Sequence, residues 1–393
     1  MTTIATAIAK GDATAASDEL ITKARLQLKG EHPALVAVFA STSQPLDEVA
    51  PIVAASFPDA VVIGASTAGE FTEQGDAKGS ASIFALAGDY RVFVGMGEGL
   101  KENPEGAVAA ALEKIPVASP GYPHRTAILL LDPLAGNGEE ATLIASSLLG
   151  PDVRLAGGAA GDDLGMKRTL VSAGAKAASD AVVIALVFST VPLGVGVCHG
   201  HEPLSEPLRV TRATGGTVFE IEGRPAFPVW VEHTKERAQS RGIDVDAIPR
   251  GDEVSYLLRY EAGLASGPED YKIRAPLARN ADDSISFACG IPEGSVIRIT
   301  ESVPERQVES AREAARRAGH QLGRPAAGAL VFDCICRNLI LGKDFERAVT
   351  GISEELGGVP LSGFETYGEI ALAAGDLSGF HNTTSVVLAF PRD

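Results

Sequence analysis

The sequence predicts an α/β protein of two domains with mixed sheets, built on a repeated strand–helix–strand–Gly-turn unit. Three observations carry this reading. With 393 residues, 45% of them apolar, and 43 glycines, the chain has the length for two or three domains and the composition of an α/β fold. Short apolar runs of strand length alternate with stretches whose apolar residues fall at helical spacing. The pattern G-x-x-T-x-G-E plus an apolar residue occurs twice, in VVIGASTAGEF (61–71) and PLSGFETYGEI (360–370).

Taken in order, ALVAVFAS (34–41) is a buried-strand run. It is followed by a helix over 45–57, with Leu46, Val49, Ile52, Val53 and Phe57 on one face. A strand over 60–66 enters the first Gly turn, and strands over 81–88 and 90–97 complete the unit. The second unit opens with a strand at 126–134, continues through a helix at 138–150, and reaches a strand and Gly turn in VRLAGGAAGDD (153–163). Strands at 168–174, 181–189 and 193–200 follow. The third has a strand GALVFDCICR (328–337), a helix over 344–357, the Gly turn of 359–370 and a last strand at 383–390. From opening strand to turn, Ala34 to Gly64 and Ala127 to Gly157 each span 30 residues, and Ala329 to Gly363 spans 34. Three such matches with the same flanking elements indicate internal duplication. Helices at 17–29 and 306–322 precede the first and third units. Between 205 and 305 the pattern changes to hairpin chemistry, with a helix at about 226–240. The expected division is therefore an N-terminal tail and helix (1–29), a first domain (30–225) and a second (226–393).

Several function classes are disfavoured. The net charge of −17 repels phosphate backbones, and no basic run offsets it, so nucleic acid is not expected. No apolar run has the roughly 20 residues of a membrane span. The N-terminus lacks a secretory pattern and four cysteines do not make a disulfide framework, so the expected location is cytoplasmic.

The Gly turns are the candidate site. Glycines at a strand end let backbone N–H groups approach a ligand; Gly64, Gly157, Gly158, Gly363 and Gly368 qualify. Ser66, Thr67 and Thr366 bring hydroxyls, Glu70, Glu369 and Asp162 bring carboxylates, and Tyr367 adds an amphipathic ring. Gathered round one cleft, such groups suit an amino acid: N–H groups for its carboxylate, acids for its ammonium. The competing reading is that the glycines make turns and the acids satisfy neighbouring amides. Arg337, at a strand end, suits either capture of a carboxylate or an internal ion pair, with Glu369 as the partner considered. His381 and Asn382, in GFHNTT, lie close in sequence to the third turn. No metalloprotease, nucleophile-elbow or P-loop motif is present, so a non-enzymatic role is expected. The enzymatic alternative uses Cys334 or the acidic turn residues. Cys334 and Cys336 share a face if the strand persists, and His199 and His201 form an alternative metal pair.

The segments GASTAGEF, LAGGAAGDD, DYKIRAP, GALVFDCICR and PLSGFETYGEI followed by HN resemble the FIST family, with its N- and C-terminal domains in order, from about residue 30 to 390. The resemblance implies a bacterial-type sensory module that binds a small ligand, with amino acids as one class. It also implies output through a separate histidine kinase, chemoreceptor or cyclic-di-nucleotide enzyme. Some members are haem proteins that sense nitric oxide, and for that alternative His381 is the expected iron ligand.

Overall fold

The apolar runs assemble into three successive repeats, each in the order strand, helix, strand, helix, strand, short strand pair, strand. The structure, a computed structural model, describes residues 1–265, 271–372 and 379–392. The first repeat comprises β1 (Thr3–Ala9), α1 (Ala13–Leu28), β2 (Pro33–Ala40), α2 (Leu46–Ser56), β3 (Val61–Ser66), β4 (Glu70–Thr72), β5 (Gly75–Ala77) and β6 (Ala81–Ala87). The second comprises β7 (Tyr90–Glu98), α3 (Pro104–Leu112), β8 (His124–Leu131), α4 (Gly138–Leu149), β9 (Arg154–Ala159), β10 (Val171–Ala173), β11 (Lys176–Ala178) and β12 (Ala181–Ser189).

The third repeat opens with β13 (Gly194–His199) and is interrupted at once by a β-rich subdomain. That insertion carries β14 (His201–Pro203), β15 (Leu208–Thr214), β16 (Thr217–Ile221), β17 (Arg224–Pro225), α5 (Ala226–Ser240), α6 (Val254–Leu257), β18 (Ala262–Ala265), β19 (Tyr271–Arg274), β20 (Pro276–Arg279), β21 (Ile285–Phe287) and β22 (Val296–Ser302). The repeat resumes with α7 (Pro304–Leu322), β23 (Ala326–Cys334), α8 (Ile335–Leu341), α9 (Phe345–Glu355), β24 (Leu361–Thr366), β25 (Glu369–Leu372), β26 (Phe380–His381) and β27 (Thr384–Pro391).

Each repeat builds a sheet around one parallel pair, β2–β3, β8–β9 or β23–β24; parallel pairing needs a crossover, and a helix supplies it. Each sheet then ends on a strand pair taken from another repeat. β10–β11 joins β3, β25–β26 joins β9, and β4–β5 joins β24. The exchange is cyclic, so no repeat completes its own sheet.

The inner faces of the three sheets meet in one core that draws on every repeat, including Phe39, Ile63, Leu130, Val183, Phe332 and Phe364. Phe39 lies 4.5 Å from Phe364 and 6.4 Å from Phe332 between ring centroids, within the range of favourable aromatic pairs. On each outer face, helices cover a separate apolar layer: α1 and α2, α3 and α4, α7 and α9. The inserted subdomain has its own core around Trp230, Tyr256 and Ile299. Two edge strands are blunted by the helix that follows them. The Gln27 amide bonds both Thr6 N (3.1 Å) and Thr6 O (2.7 Å), and Gln321 Oε1 accepts from Val195 N at 3.2 Å.

The mixed α/β class and the duplication are as expected, with corrections. Residues 3–9 are not tail but a strand paired with β6. The strands expected to close the first two units, β7 and β13, instead open the next repeats, and α3 lies between β7 and β8, where no element is expected. The run 328–337 leaves the sheet at Cys334, where the backbone turns into α8, so Cys334 and Cys336 do not alternate along a strand. The expected boundary at 225 falls between β17 and α5, and the core sheets take strands from both sides of it.

Candidate functional site

The three Gly turns converge. Each follows the second strand of a parallel pair, and Gly64, Gly157 and Gly363 occupy equivalent positions there. A Cβ at any of them would collide with the neighbouring strand's carbonyl oxygen, that of Val38, Leu129 or Val331. These glycines therefore serve close strand packing, and all three are buried. Gly158 meets the Thr366 methyl group and Gly368 the Phe380 ring in the same way.

Beyond the glycines, the turns bond one another in a ring. Ala68 N donates to Glu365 O (3.1 Å) and Glu365 N to Gly69 O (2.7 Å). Gly161 N donates to Ser66 O (2.8 Å) and Asp163 N to Thr67 O (3.0 Å). Tyr367 N donates to Ala159 O (3.1 Å) and Ala159 N to Gly368 O (2.7 Å). First turn on third repeat, second on first, third on second: the cycle matches the strand exchange.

The polar side chains of the shared motif are spent inside this ring. Thr67 Oγ1 donates to Glu70, whose other oxygen accepts from Ser80 Oγ at 2.7 Å. Thr366 Oγ1 donates to Glu369 at 2.6 Å, and Glu369 accepts from Thr384 N (3.0 Å) and Oγ1 (2.8 Å). Burial pushes Glu70 up to about 8 and Glu369 up to about 7, since desolvation disfavours the charged form. Ser66 Oγ donates to Gly161 O (2.7 Å) and accepts from Leu170 N (2.8 Å).

Asp162 accepts from the backbone N–H groups of Met166 (2.8 Å), Lys167 (2.6 Å) and Arg168 (3.0 Å), and from Tyr367 Oη–H (2.7 Å). Burial acts to raise this carboxyl, yet these donors outweigh it and hold it below its ordinary range. The motif residues thus meet in space, as the binding reading requires, but they satisfy each other.

Arg337 is not a ligand clamp. It is fully buried; Nε bonds Asp333 at 2.8 Å, Nη1 bonds Ser310 Oγ (2.8 Å) and Gln307 Oε1, and Nη2 bonds Gln307 O (2.9 Å). The ion-pair reading holds, with Asp333 rather than Glu369 as partner. His381 is likewise committed, its Nε2 lying 3.0 Å from Ala371 O. Burial, then Lys272, pushes it down to about 3. Asn382 Oδ1 accepts from Ala275 N (3.4 Å) and Nδ2 donates to His381 O (3.0 Å).

Haem does not fit these residues. Its iron needs a ring nitrogen facing open space, whereas the His381 Nε2 is taken by a carbonyl. Among the described residues no three His, Cys, Asp or Glu side chains gather as metal ligands. His199 and His201 stand 6.0 Å apart between ring centroids.

One motif residue, Tyr367, also reaches a cleft of about 490 Å³ between the three-repeat core and the inserted subdomain. Its walls are Gly136–Glu140 and Leu143 at the start of α4, the Gly215–Gly216 turn between β15 and β16, residues 287–290 at the end of β21, and Phe380. Asn137 caps α4 without a side-chain bond to its first turn, leaving first-turn N–H groups for other acceptors. The Asn137 amide instead donates to Leu100 O and Lys101 O. Arg274, buried, bonds Glu139 at 2.5 Å and Gly290 O at 3.2 Å. Burial pushes the Cys289 thiol up to about 11. These residues carry no motif; the only sequence signals are the turn-forming pairs Asn137-Gly138 and Gly215-Gly216.

The fold is thus a three-repeat α/β core with an inserted β-rich subdomain and a cleft between them. The FIST N domain matches residues 34–224 and the FIST C domain matches residues 241–372, so the chain belongs to the FIST family. FIST domains are associated with sensory signal transduction. An uncharacterised protein of Mycobacterium tuberculosis is 29% identical over 198 residues, 49% of this chain and 50% of that protein. An uncharacterised protein of Mycobacterium bovis is 28% identical over 199 residues, 50% of each. One from Methanocaldococcus jannaschii is 26% identical over 163 residues, 40% of this chain and 31% of that protein. The matches span about half the length of the mycobacterial relatives or less. No described helix is long and apolar enough to cross a membrane.

Proposed function

We propose that the cleft between core and inserted subdomain binds an amino acid or a close analogue, and that the chain is a non-catalytic sensor. Its occupancy would be read by a separate partner, with a histidine kinase, chemoreceptor or cyclic-di-nucleotide enzyme as the expected kinds. The carrying observation is that one cleft has walls from both bodies and reaches Tyr367 of the turn ring. The ligand carboxylate lies at the first turn of α4, where free N–H groups and the helix dipole favour an anion. Arg274 is paired with Glu139 of that turn, so the backbone N–H groups carry the recognition of the carboxylate. The ammonium group faces Glu140, and Tyr367 and Phe380 offer ring surface to the side chain.

Ligand that touches both bodies favours the arrangement in which both walls fit, and so shifts their relative position. Tyr367 carries this to the ring, because its hydroxyl donates to Asp162 and accepts from Leu164 N at 2.7 Å.

The test is a thermal-shift panel of the twenty amino acids on the full chain, repeated with Gly290→Phe. A Cβ at Gly290 meets nothing closer than Gly215 O at 3.7 Å, so the ring fills the cleft without backbone strain. At ligand concentrations near 100 Kd the wild type gains about 2.7 kcal/mol, a rise of several degrees, and the variant gains none. A flat panel, or an equal shift in Gly290→Phe, contradicts the reading.

A further inference from the structure

We propose that β7 is a self-pairing edge: two copies of the chain join by antiparallel β7–β7 pairing about a two-fold axis at Val94. The proposal does not rest on the cleft. In the sheet order β26-β25-β9-β8-β12-β7 the strand lies at the far end from β26, which carries Phe380, so the pairing leaves the cleft open.

Each repeat opens with an edge strand, and the three edges can be compared directly. On β1, Lys23 Nζ donates to Ile8 O (3.4 Å) and the Gln27 amide takes both backbone groups of Thr6. On β13, Arg317 Nη1 donates to Val197 O (2.9 Å) and Gln321 Oε1 accepts from Val195 N (3.2 Å). Each clamp is an i, i+4 pair on the last turns of α1 or α7, and it closes the strand to further partners.

β7 lacks this clamp. Its counterpart positions follow from the glycine contacts: Gly95 faces Ala111 O and Gly97 faces Ala107 O, as Gly194 faces Ala318 O and Gly196 faces Ala314 O. Met96 and Glu98 then stand where Val195 and Val197 stand, and Ala110 and Lys114 where Arg317 and Gln321 stand. Ala110 has no side-chain group to donate, and Lys114 has no acceptor atom and lies beyond the end of α3 at Leu112. Among the described residues, nothing but β12 bonds the backbone of residues 92–97. The strand is 9 residues long and half-buried over 92–96, whereas its neighbour β12 is buried throughout.

A long open edge is a template for another strand, and this one is complementary to itself. Alternate residues send their backbone groups to the same side, so Val92, Val94 and Met96 form the outward set. With the axis at Val94, Val94 meets its own copy and Val92 meets Met96, each pair exchanging N–H···O=C bonds. On the α3 face, Phe93 falls opposite Gly95 and Arg91 opposite Gly97, a large side chain against none. On the other face Val92, Val94 and Met96, packed at the margin of the central core, extend that layer across the join. Tyr90 falls opposite Glu98, and no like charges oppose one another. The small Ala110 leaves room between the two α3 helices. Pairing joins two six-stranded sheets into one, an isologous contact of the kind two-fold dimers use.

The experiment is sedimentation velocity on the full chain over a concentration series, beside the double variant Ala110→Arg, Lys114→Gln. That variant installs on α3 the clamp of α7, and both positions are exposed. The wild type is expected to sediment as a dimer and the double variant as a monomer. A wild type that stays monomeric at every concentration overturns the proposal. So does a variant that dimerises as strongly as the wild type, since the contact then lies on another surface. Should the variant fail to fold, hydrogen–deuterium exchange on the wild type decides: Val92, Val94 and Met96 N–H groups gain protection as concentration rises, and unchanged exchange there overturns the proposal.

Discussion

A glutamate three residues after a threonine in a tight turn brings its carboxylate to the hydroxyl, and Glu70 and Glu369 both take that bond. Each is wholly buried, so the motif is a way of holding an acid inside the protein. This has a consequence for pH. Glu70 is raised from 4.5 to about 8, by burial first and by Asp163 among the lesser causes. The folded state therefore holds a proton that the unfolded chain has released between these values. Its stabilising share is full below pH 4.5 and lost as pH rises towards 8. Replacing Glu70 with Gln keeps the hydrogen-bonding shape and removes the titration. In denaturant unfolding, Glu70→Gln should gain on the wild type by on the order of 1–3 kcal/mol between pH 5 and pH 9. Equal pH dependence in the two proteins would show that Glu70 does not titrate in this window.

Among the elements, the strand carrying each Gly turn is the most constrained. At Gly157 a Cβ would collide with three backbone atoms of Leu129, and backbone cannot move aside as a flexible side chain can. Gly157→Ala should cost about 2–4 kcal/mol in chemical denaturation, and a cost below 0.5 kcal/mol would refute the close-packing role. The strand–helix order and the recurring turn were legible because hydrophobic period and glycine spacing are local signals. The repeat boundaries were not, because β7 and β13 pair with strands of the repeats they open and nothing in their own residues says so. Gly95 and Gly97 let α3 lie on β7: a Cβ at Gly95 would meet Ala111 O and one at Gly97 would meet Ala107 O. Of the candidate site residues, Tyr367 alone lines the cleft. The opposite wall comes from turns about 150 and 80 residues away, a juxtaposition made only by tertiary folding.

At the level of the whole molecule, cyclic strand exchange makes the three repeats interdependent, since each sheet lacks two strands without a neighbour. The inserted subdomain keeps a separate core and meets the repeats along the cleft. A core of interlocked repeats with one appended unit follows, and on the proposed reading the cleft is where a ligand acts on both. Hydrogen–deuterium exchange on the full chain tests this most directly, with and without the amino acid that stabilises it most. The account predicts slowed exchange at the start of α4 (136–141), the β15–β16 turn (214–217) and residues 288–291. Protection elsewhere, with these three segments unchanged, would contradict it.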